Sequence, residues 1–233
     1  MVEIRVCTAD QAVSDVSDGA VVMIGGFAAP GVPEELVKAL LRHAPHKLTT
    51  ISNGAHGRRS EVWDAAKLVE AGLVARCVSS FPVTGGASAH NAVETQYLQG
   101  QLEVVVIPQG TLSEQIRAGG AGIPAFWVPT GVGTAFEEGK EKRLFKGNVH
   151  LLEHSLTADF ALIKASKADT LGNLVYDKVQ RNFGPTMATA ARITIAEVGE
   201  IVQPGEIPSD SIITPGIYID RLVLTEGSGA NSK

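Results

Sequence analysis

Short apolar runs alternate with helix-spaced apolar positions along the first two-thirds of the chain. Val21, Val22, Met23 and Ile24 make a β-like run that stops at Gly25-Gly26. Pro33-Glu34-Glu35 then opens a helix, because proline suits a first turn and acidic residues there complement the helix dipole. The apolar face of that helix is Leu36, Val37, Leu40 and Leu41, at the spacing a helix requires. The same reading predicts strands over residues 48–52, 74–79 and 104–107. It predicts helices over residues 61–71, 91–98 and 111–118.

Strand–helix alternation implies an open, mostly parallel, Rossmann-like α/β sheet with helices on both faces. In such sheets ligands bind beyond the C-terminal ends of the strands. The residues just after each strand are therefore the place to look for chemistry. The pattern changes over residues 119–153, where Gly119, Gly120, Gly122, Pro124, Pro129, Gly131 and Gly133 precede a charged stretch. This segment is expected to be a Gly-rich loop with a small β-rich excursion. Strands are expected again over residues 159–165, 194–198 and 217–224, and a helix over 185–191. One domain is expected over residues 1–225. The Gly/Ser/Asn-rich residues 226–233 are expected to be a disordered tail.

Composition narrows the function more than the fold. The 233 residues are 44% hydrophobic and 19% charged, a globular balance. A formal net charge of -5 argues against nucleic acid, which is bound mainly through clustered Lys and Arg. It leaves room for a small anionic ligand. The two cysteines, Cys7 and Cys77, form neither a disulfide framework nor a C-x-x-C metal site. Cys77 lies in an apolar run and reads as a small buried hydrophobe. No basic, then apolar leader is visible at Met1, and no apolar stretch approaches the ~20 residues that span a bilayer. A cytoplasmic protein without a membrane partner is expected.

Three post-strand loops stand out. Gly25-Gly26-Phe27-Ala28-Ala29-Pro30-Gly31 runs directly into a helix. It reads either as a tight strand-to-helix turn or as an anion cradle. Small residues let a ligand approach, and a helix start offers unpaired N–H groups. It matches neither G-x-G-x-x-G nor the Gly-Lys-Ser/Thr phosphate loop. Asn53-Gly54 reads either as a turn using a left-handed asparagine or as an amide aimed into the crevice. In Pro108-Gln109-Gly110-Thr111-Leu112-Ser113-Glu114, Thr111 and Glu114 are spaced as a helix capping box. That box does not account for Gln109.

These segments together resemble a known family. Gly-Gly-Phe-x-x-x-Gly-x-Pro, the ungapped block from Pro108 to Phe126, and Pro129-Thr130-Gly131-x-Gly133-Thr134 resemble the α subunit of family I 3-oxoacid CoA-transferases. Asp159 to Ala165, Ala168-Asp169, Gly172-Asn173, Arg181-Asn182-Phe183 and Thr214 to Ile217 also match. The resemblance runs from about Asp18 to Val223. Ser79-Ser80-Phe81-Pro82 is more similar to members that use 3-oxoadipate than to those that use acetoacetate.

The resemblance implies a ping-pong reaction that moves CoA from an acyl-CoA, succinyl-CoA in the first reading, to a 3-oxo acid such as 3-oxoadipate or acetoacetate. The alternatives are an acetate- or butyrate-type enzyme and a CoA-binding subunit without catalysis. The resemblance implies an attacking glutamate supplied by a β subunit in an α2β2 heterotetramer. None of the 25 acidic residues here lies in the family's nucleophile motif. Asn53 and Gln109 are implied as oxyanion donors, and Gly25, Gly26, Phe27, Ala28, Ala29, Pro30 and Gly31 as the CoA-binding loop. No permanent cofactor and no metal are implied, the CoA thioester being a substrate. The chain departs from the family at Ala28, often Gly, and at Asn53-Gly54, often Asn-Asn. Residues 56–63 and 83–90 match poorly and are expected to line the acyl pocket. His56 and His90 are assigned no role. Arg117, Arg181 and Lys164 read as ion-pair residues before anion ligands. Glu137 to Arg143 reads as a solvated face.

Overall fold

The computed structural model describes residues 4–55, 62–83 and 91–225. His56, His90, most of both poorly matching loops and the 226–233 tail lie outside the described residues. The main sheet is built from strands β1 (Arg5–Val6), β2 (Val21–Ile24), β3 (Leu48–Gly54), β4 (Val74–Phe81), β5 (Glu103–Val106), β9 (Ala158–Asp169), β10 (Leu174–Val175), β11 (Ala191–Val202) and β12 (Arg221–Leu224). Its order is β1-β12-β11-β9-β2-β3-β4-β5, and every neighbouring pair on that path is parallel. The fold expectation, a mostly parallel sheet with a small β excursion, is what the chain forms.

Residue parity decides which face each side chain serves. Val22 and Ile24 of β2, with Phe160 and Leu162 of β9, join one core cluster. Met23, with Ala161 and Ile163, joins the other. That is the period-2 alternation of a strand buried on both sides. The first face is covered by α1 (Ala9–Val13), α2 (Glu34–His43), α3 (Ala65–Glu70) and α4 (Ala92–Leu98), through Val13, Leu36, Leu40, Leu68 and Val93. The second is covered by α5 (Gln109–Gly120) and α6 (Gly184–Ala190), through Leu112, Ile116 and Met187. Cys77 is fully buried in the first cluster, as its apolar setting indicated.

From β2 the chain steps outward to β5. It then crosses back to place β9 on the other side of β2. The topological switch point is therefore between β2 and β9, where crevices open in such sheets. β9 and β11 are each 12 residues long and pair from Ala158↔Ala191 to Asp169↔Val202. The apolar runs predicted only their central parts. β2 pairs only with Phe160, Ala161 and Leu162. Further up, antiparallel β10 takes the same edge of β9 at Lys167 and Ala168. The loop leaving β2 sits beside the stretch of β9 between them.

The excursion is a three-stranded antiparallel sheet of β6 (Ala125–Val128), β7 (Lys142–Phe145) and β8 (Asn148–His154), in the order β6-β8-β7. The charged stretch within it, from Glu137 to Arg143, is mostly exposed, but Lys140 reaches the buried Glu153 at 2.5 Å, and Gln115 of α5 donates to the same carboxylate. The segment expected as a strand from Ile217 is instead a 3-10 turn at Gly216–Tyr218, with β12 starting at Arg221. Gly216 N–H is drawn to Asn173 Oδ1, which holds this stretch off the sheet.

β1 and α1 lie at the N-terminal end of the described residues. They are held by Arg221, whose Nη1 donates to Ala12 O at 2.6 Å and whose two η nitrogens grip the Asp15 carboxylate at 2.6 and 2.7 Å. The Arg221 hydrogen bond holds the Asp15 carboxyl below the usual aspartate range. A depressed folded value means stability that is present above the unfolded value and lost as pH falls through the folded one. The stability difference between the native chain and Asp15→Asn should therefore be full above about pH 4 and fade below it. Its size should be about 1 kcal/mol or less for so exposed a pair. Urea denaturation across pH checks both.

Candidate active site

Four adjacent strand ends, those of β2, β3, β4 and β5, present Gly25, Asn53, Phe81 and Gln109 or their neighbours along one edge of the sheet. Asn53 is only 3% exposed. β3 runs on through Gly54, and Asn53 is absent from the residues with positive φ. The left-handed turn reading therefore fails, and the asparagine must be explained by its contacts.

Those contacts come from both neighbours. Gln109 Nε2 donates to Asn53 Oδ1 at 2.7 Å. Ser79 Oγ, from β4, donates to Asn53 backbone O at 3.1 Å and accepts Phe81 N–H at 3.2 Å. Asn53 Nδ2 makes no hydrogen bond among the described residues. The side chain is thus held by its acceptor end. Nearby, Phe81 and Val83 are each 49% exposed, apolar surface beside a polar amide.

Gln109 reaches Asn53 because of where α5 begins. The capping box expected between Thr111 and Glu114 does not form. Pro108, at φ -54° and ψ 135°, is the N-cap, so the helix starts two residues before Thr111 and puts Gln109 in its first position. The Thr111 hydroxyl is buried with no partner, and Glu114 turns outward to pair with Arg117 at 2.6 Å. Arg117 is thereby an ion-pair residue, as read from sequence.

The loop from Gly25 to Gly31 is tied down internally. Gly25 N–H donates to Leu162 O, Phe27 N–H to Pro30 O and Val32 N–H to Ala29 O. Asn182 Nδ2 clasps it by donating to Pro30 O at 3.0 Å. Ala28 sits at φ +57°, a left-handed conformation that glycine adopts at less cost.

The helix start after this loop differs from expectation. Pro33 offers no side-chain cap. Instead Glu197, an acid within β11, reaches across and accepts the N–H groups of Glu35 at 2.8 Å and Leu36 at 3.3 Å. Glu34 N–H is taken by Val32 O. The first-turn amides of α2 are thus filled from inside the chain and are not open to an anion. The loop's own amides at Gly26, Ala28, Ala29 and Gly31 remain without partners among the described residues. Lys164 Nζ pairs with the other Glu197 oxygen at 2.9 Å, so Lys164 too is an ion-pair residue. Burial pushes the Glu197 carboxyl up, while Lys164 and the two amides pull it back.

Phe27 and Pro30 of the loop line a cavity of about 560 Å³ with Lys178, Val179, Arg181 and Asn182. Of Arg117, Arg181 and Lys164, it is Arg181 that faces this cavity. Other reactive-looking groups are quiet. Burial pushes the Cys77 thiol to about 11 and the Tyr176 hydroxyl to about 12. The buried carboxylates Glu153, Asp169 and Glu197 all have partners, and Asp64 caps α3. Among the described residues no cluster of His, Cys, Asp and Glu could hold a metal, and no helix is long and apolar enough to cross a membrane.

Sequence reasoning picked out Asn53, Gln109 and the glycine loop, and the structure brings the first two into contact. It missed Ser79, Asn182 and Glu197 as supports. Glu197 carried a legible signal, since a charge inside a buried apolar strand requires a partner. Ser79 carried the same signal faintly, as a hydroxyl late in a mostly apolar strand.

Residues 6–225 match the family model described as coenzyme A transferase. A 3-oxoadipate CoA-transferase subunit of Pseudomonas putida is 46% identical, over 95% of this chain and 93% of that protein. A succinyl-CoA:3-ketoacid coenzyme A transferase subunit of Xanthomonas campestris pv. campestris strain B100 is 48% identical, over 90% and 83%. The acyl-CoA transferase YdiF of E. coli O157:H7, solved as a thioester complex with CoA, superposes with a TM-score of 0.85 at 21% identity. At that identity the likeness concerns the fold alone. It covers 96% of this chain, which spans about half the length of that one.

Two sets of variants test the supports. Lys164→Met leaves Glu197 buried without its counter-charge and should cost about 3 kcal/mol. Adding Glu197→Gln should restore most of that. The Lys164→Met deficit should also shrink as pH falls and the raised Glu197 carboxyl protonates. Urea denaturation at several pH values measures both effects. Gly31 has φ +78°, and a Cβ there would strike Gln180 O and lie 2.8 Å from Asn182 Nδ2. Gly31→Ala should therefore lower the melting temperature, by an amount equal to about 2 kcal/mol. Ala28→Gly should stay within about 0.5 kcal/mol, relief of strain offsetting the added chain entropy.

Proposed function

This chain belongs to the coenzyme A transferase family, and on that premise we propose that it is the α subunit of an enzyme moving CoA from succinyl-CoA to a 3-oxo acid. The acceptor is 3-oxoadipate or acetoacetate; the relatives' names supply 3-oxoadipate and the broader 3-ketoacid class. The attacking glutamate comes from a partner subunit, in an α2β2 assembly. The loop from Gly25 to Gly31 takes part of the CoA, with its free amides and the Phe27–Arg181 cavity facing the ligand.

The observation that carries this reading is the amide of Asn53, held at a strand end by Gln109 with its donors free. In the proposed reaction a carboxylate oxygen of the partner bonds to the thioester carbon, and the carbonyl π pair moves onto oxygen. Collapse of that oxyanion expels CoA as thiolate and leaves an acyl-glutamyl anhydride. The thiolate returns to the glutamyl carbonyl, displaces the acid, and gives an enzyme–CoA thioester. The acceptor carboxylate then repeats the sequence in reverse. Each step builds negative charge on a former carbonyl oxygen. A rigid amide donor aimed at that oxygen accelerates the step, typically by about 100-fold or more per donor.

The buried carboxylates are engaged in holding the fold, which supports an attacking group supplied from elsewhere. The chain alone should give no CoA transfer and no covalent CoA adduct. With the partner subunit it should transfer CoA from succinyl-CoA to 3-oxo acids and not to simple fatty acids. Mass spectrometry for an adduct and a spectrophotometric screen of acceptors check this. A CoA adduct on this chain by itself would sink the split-site reading.

A further inference from the structure

The two amides of the site are not equivalent, and the difference assigns them separate roles. Gln109 Nε2 points at Asn53 Oδ1, so it is directed at the asparagine rather than alongside it. Asn53 can accept that bond only with its amino group turned to the opposite side. Its backbone carbonyl is fixed at the same time by the Ser79 hydroxyl, on the neighbouring strand β4. Ser79 has no solvent exposure, so a substrate cannot touch it. The Ser79 hydroxyl is in turn oriented by Phe81 N–H, which it accepts at 3.2 Å.

We propose that, of the two side-chain amides, Asn53 is the one that donates to the reacting oxygen, and that Gln109 and Ser79 are positioning residues that clamp it at its side-chain and backbone ends. This rests on the oxyanion reading above and refines it. Asparagine by itself has a freely rotating amide, with oxygen and nitrogen exchanging places at little cost. An acceptor turned toward a developing oxyanion would repel it. The Gln109 bond removes that option, because Asn53 Oδ1 must face Gln109. A bond accepted at the carbonyl oxygen also polarises the amide and makes its N–H groups better donors. The Ser79 bond fixes the strand end from which the side chain projects. The arrangement uses three adjacent strands, β3, β4 and the β5–α5 junction, to orient one N–H.

A double-mutant cycle on the enzyme assembled with its partner subunit separates the roles. Asn53→Ala should lower kcat by about 100-fold or more, with little change in KM for the CoA ester. Gln109→Ala should lower kcat by at least about 10-fold in the native background and by less than about twofold on top of Asn53→Ala. Ser79→Ala should behave likewise, with a smaller loss that also vanishes without Asn53. Thermal melts separate these effects from unfolding, and Gln109→Met replaces any variant that does not fold. If the Gln109 factor persists in full on Asn53→Ala, Gln109 is an independent donor and the clamp is wrong, while the oxyanion reading stands. If Asn53→Ala leaves kcat unchanged, the oxyanion reading falls and the clamp with it.

Discussion

The buried carboxylate of Glu197 is the contact on which the site's framework depends. It sits in the middle of β11, fully buried, yet it holds the first turn of α2 through two amides and β9 through Lys164. The loop from Gly25 to Gly31 is strung between β2 and that helix. Its two ends are therefore set by β9, through Gly25 N–H on Leu162 O, and by β11, through Glu197. A negative charge at a helix N-terminus is favourable. Burying it is not, unless it is paired and hydrogen-bonded. Here one ammonium and two N–H groups share the carboxylate. Removing any one of them exposes the cost of burying it. The helix dipole that a ligand phosphate often uses is thereby committed to architecture, and the amides left without partners among the described residues are the loop's own.

Much of the fold was legible because buried parallel strands write continuous apolar runs and their crossover helices write amphipathic ones. Val21 to Ile24, and Leu36, Val37 and Leu40, needed no further information. The errors have physical causes. β9 and β11 outrun their apolar centres because each lends its ladder to the other along all 12 residues, so polar positions such as Lys167 and Glu200 stay in the sheet. The first turn of α5 was misplaced because Thr111 and Glu114 fit a capping pattern. Pro108 had already set the extended geometry from which the helix starts. Residues Ile217 and Tyr218 look like strand from composition, but Asn173 captures the Gly216 amide from another loop. A contact between residues 43 positions apart leaves no local trace.

The site divides in the same way. Asn53 and Gln109 were visible as polar residues placed just after strands, where a parallel sheet opens. Their contact, 56 residues apart in sequence, follows from the strand order β3-β4-β5 and not from any motif. Ser79 was hidden for the opposite reason. It lies inside the sheet, where a hydroxyl reads as tolerated rather than used. Polar residues at the ends of elements are conspicuous, as Asn53 and Gln109 are, whereas a polar residue within an element resembles core, as Ser79 does.

On the reading proposed above, the chemistry of the held donor suits a reaction that handles several carboxylates. A lysine or arginine at Asn53 would form a tight pair with any of them in the ground state. That stabilises the starting complex as much as the transition state and gives no rate advantage. A neutral amide attracts a resting carboxylate far less. It responds most to charge that develops on one oxygen at one distance and angle, which makes its value depend on orientation. An amide is also ambivalent, carrying a donor and an acceptor of similar size. Selectivity for the developing oxyanion therefore requires that the acceptor be occupied elsewhere. Gln109 does that at 2.7 Å, and Ser79 keeps the strand end from moving away. The cations Lys178 and Arg181 face the cavity beyond the glycine loop with Phe27 and Pro30, where full anionic charge can be met without competing for the reacting oxygen.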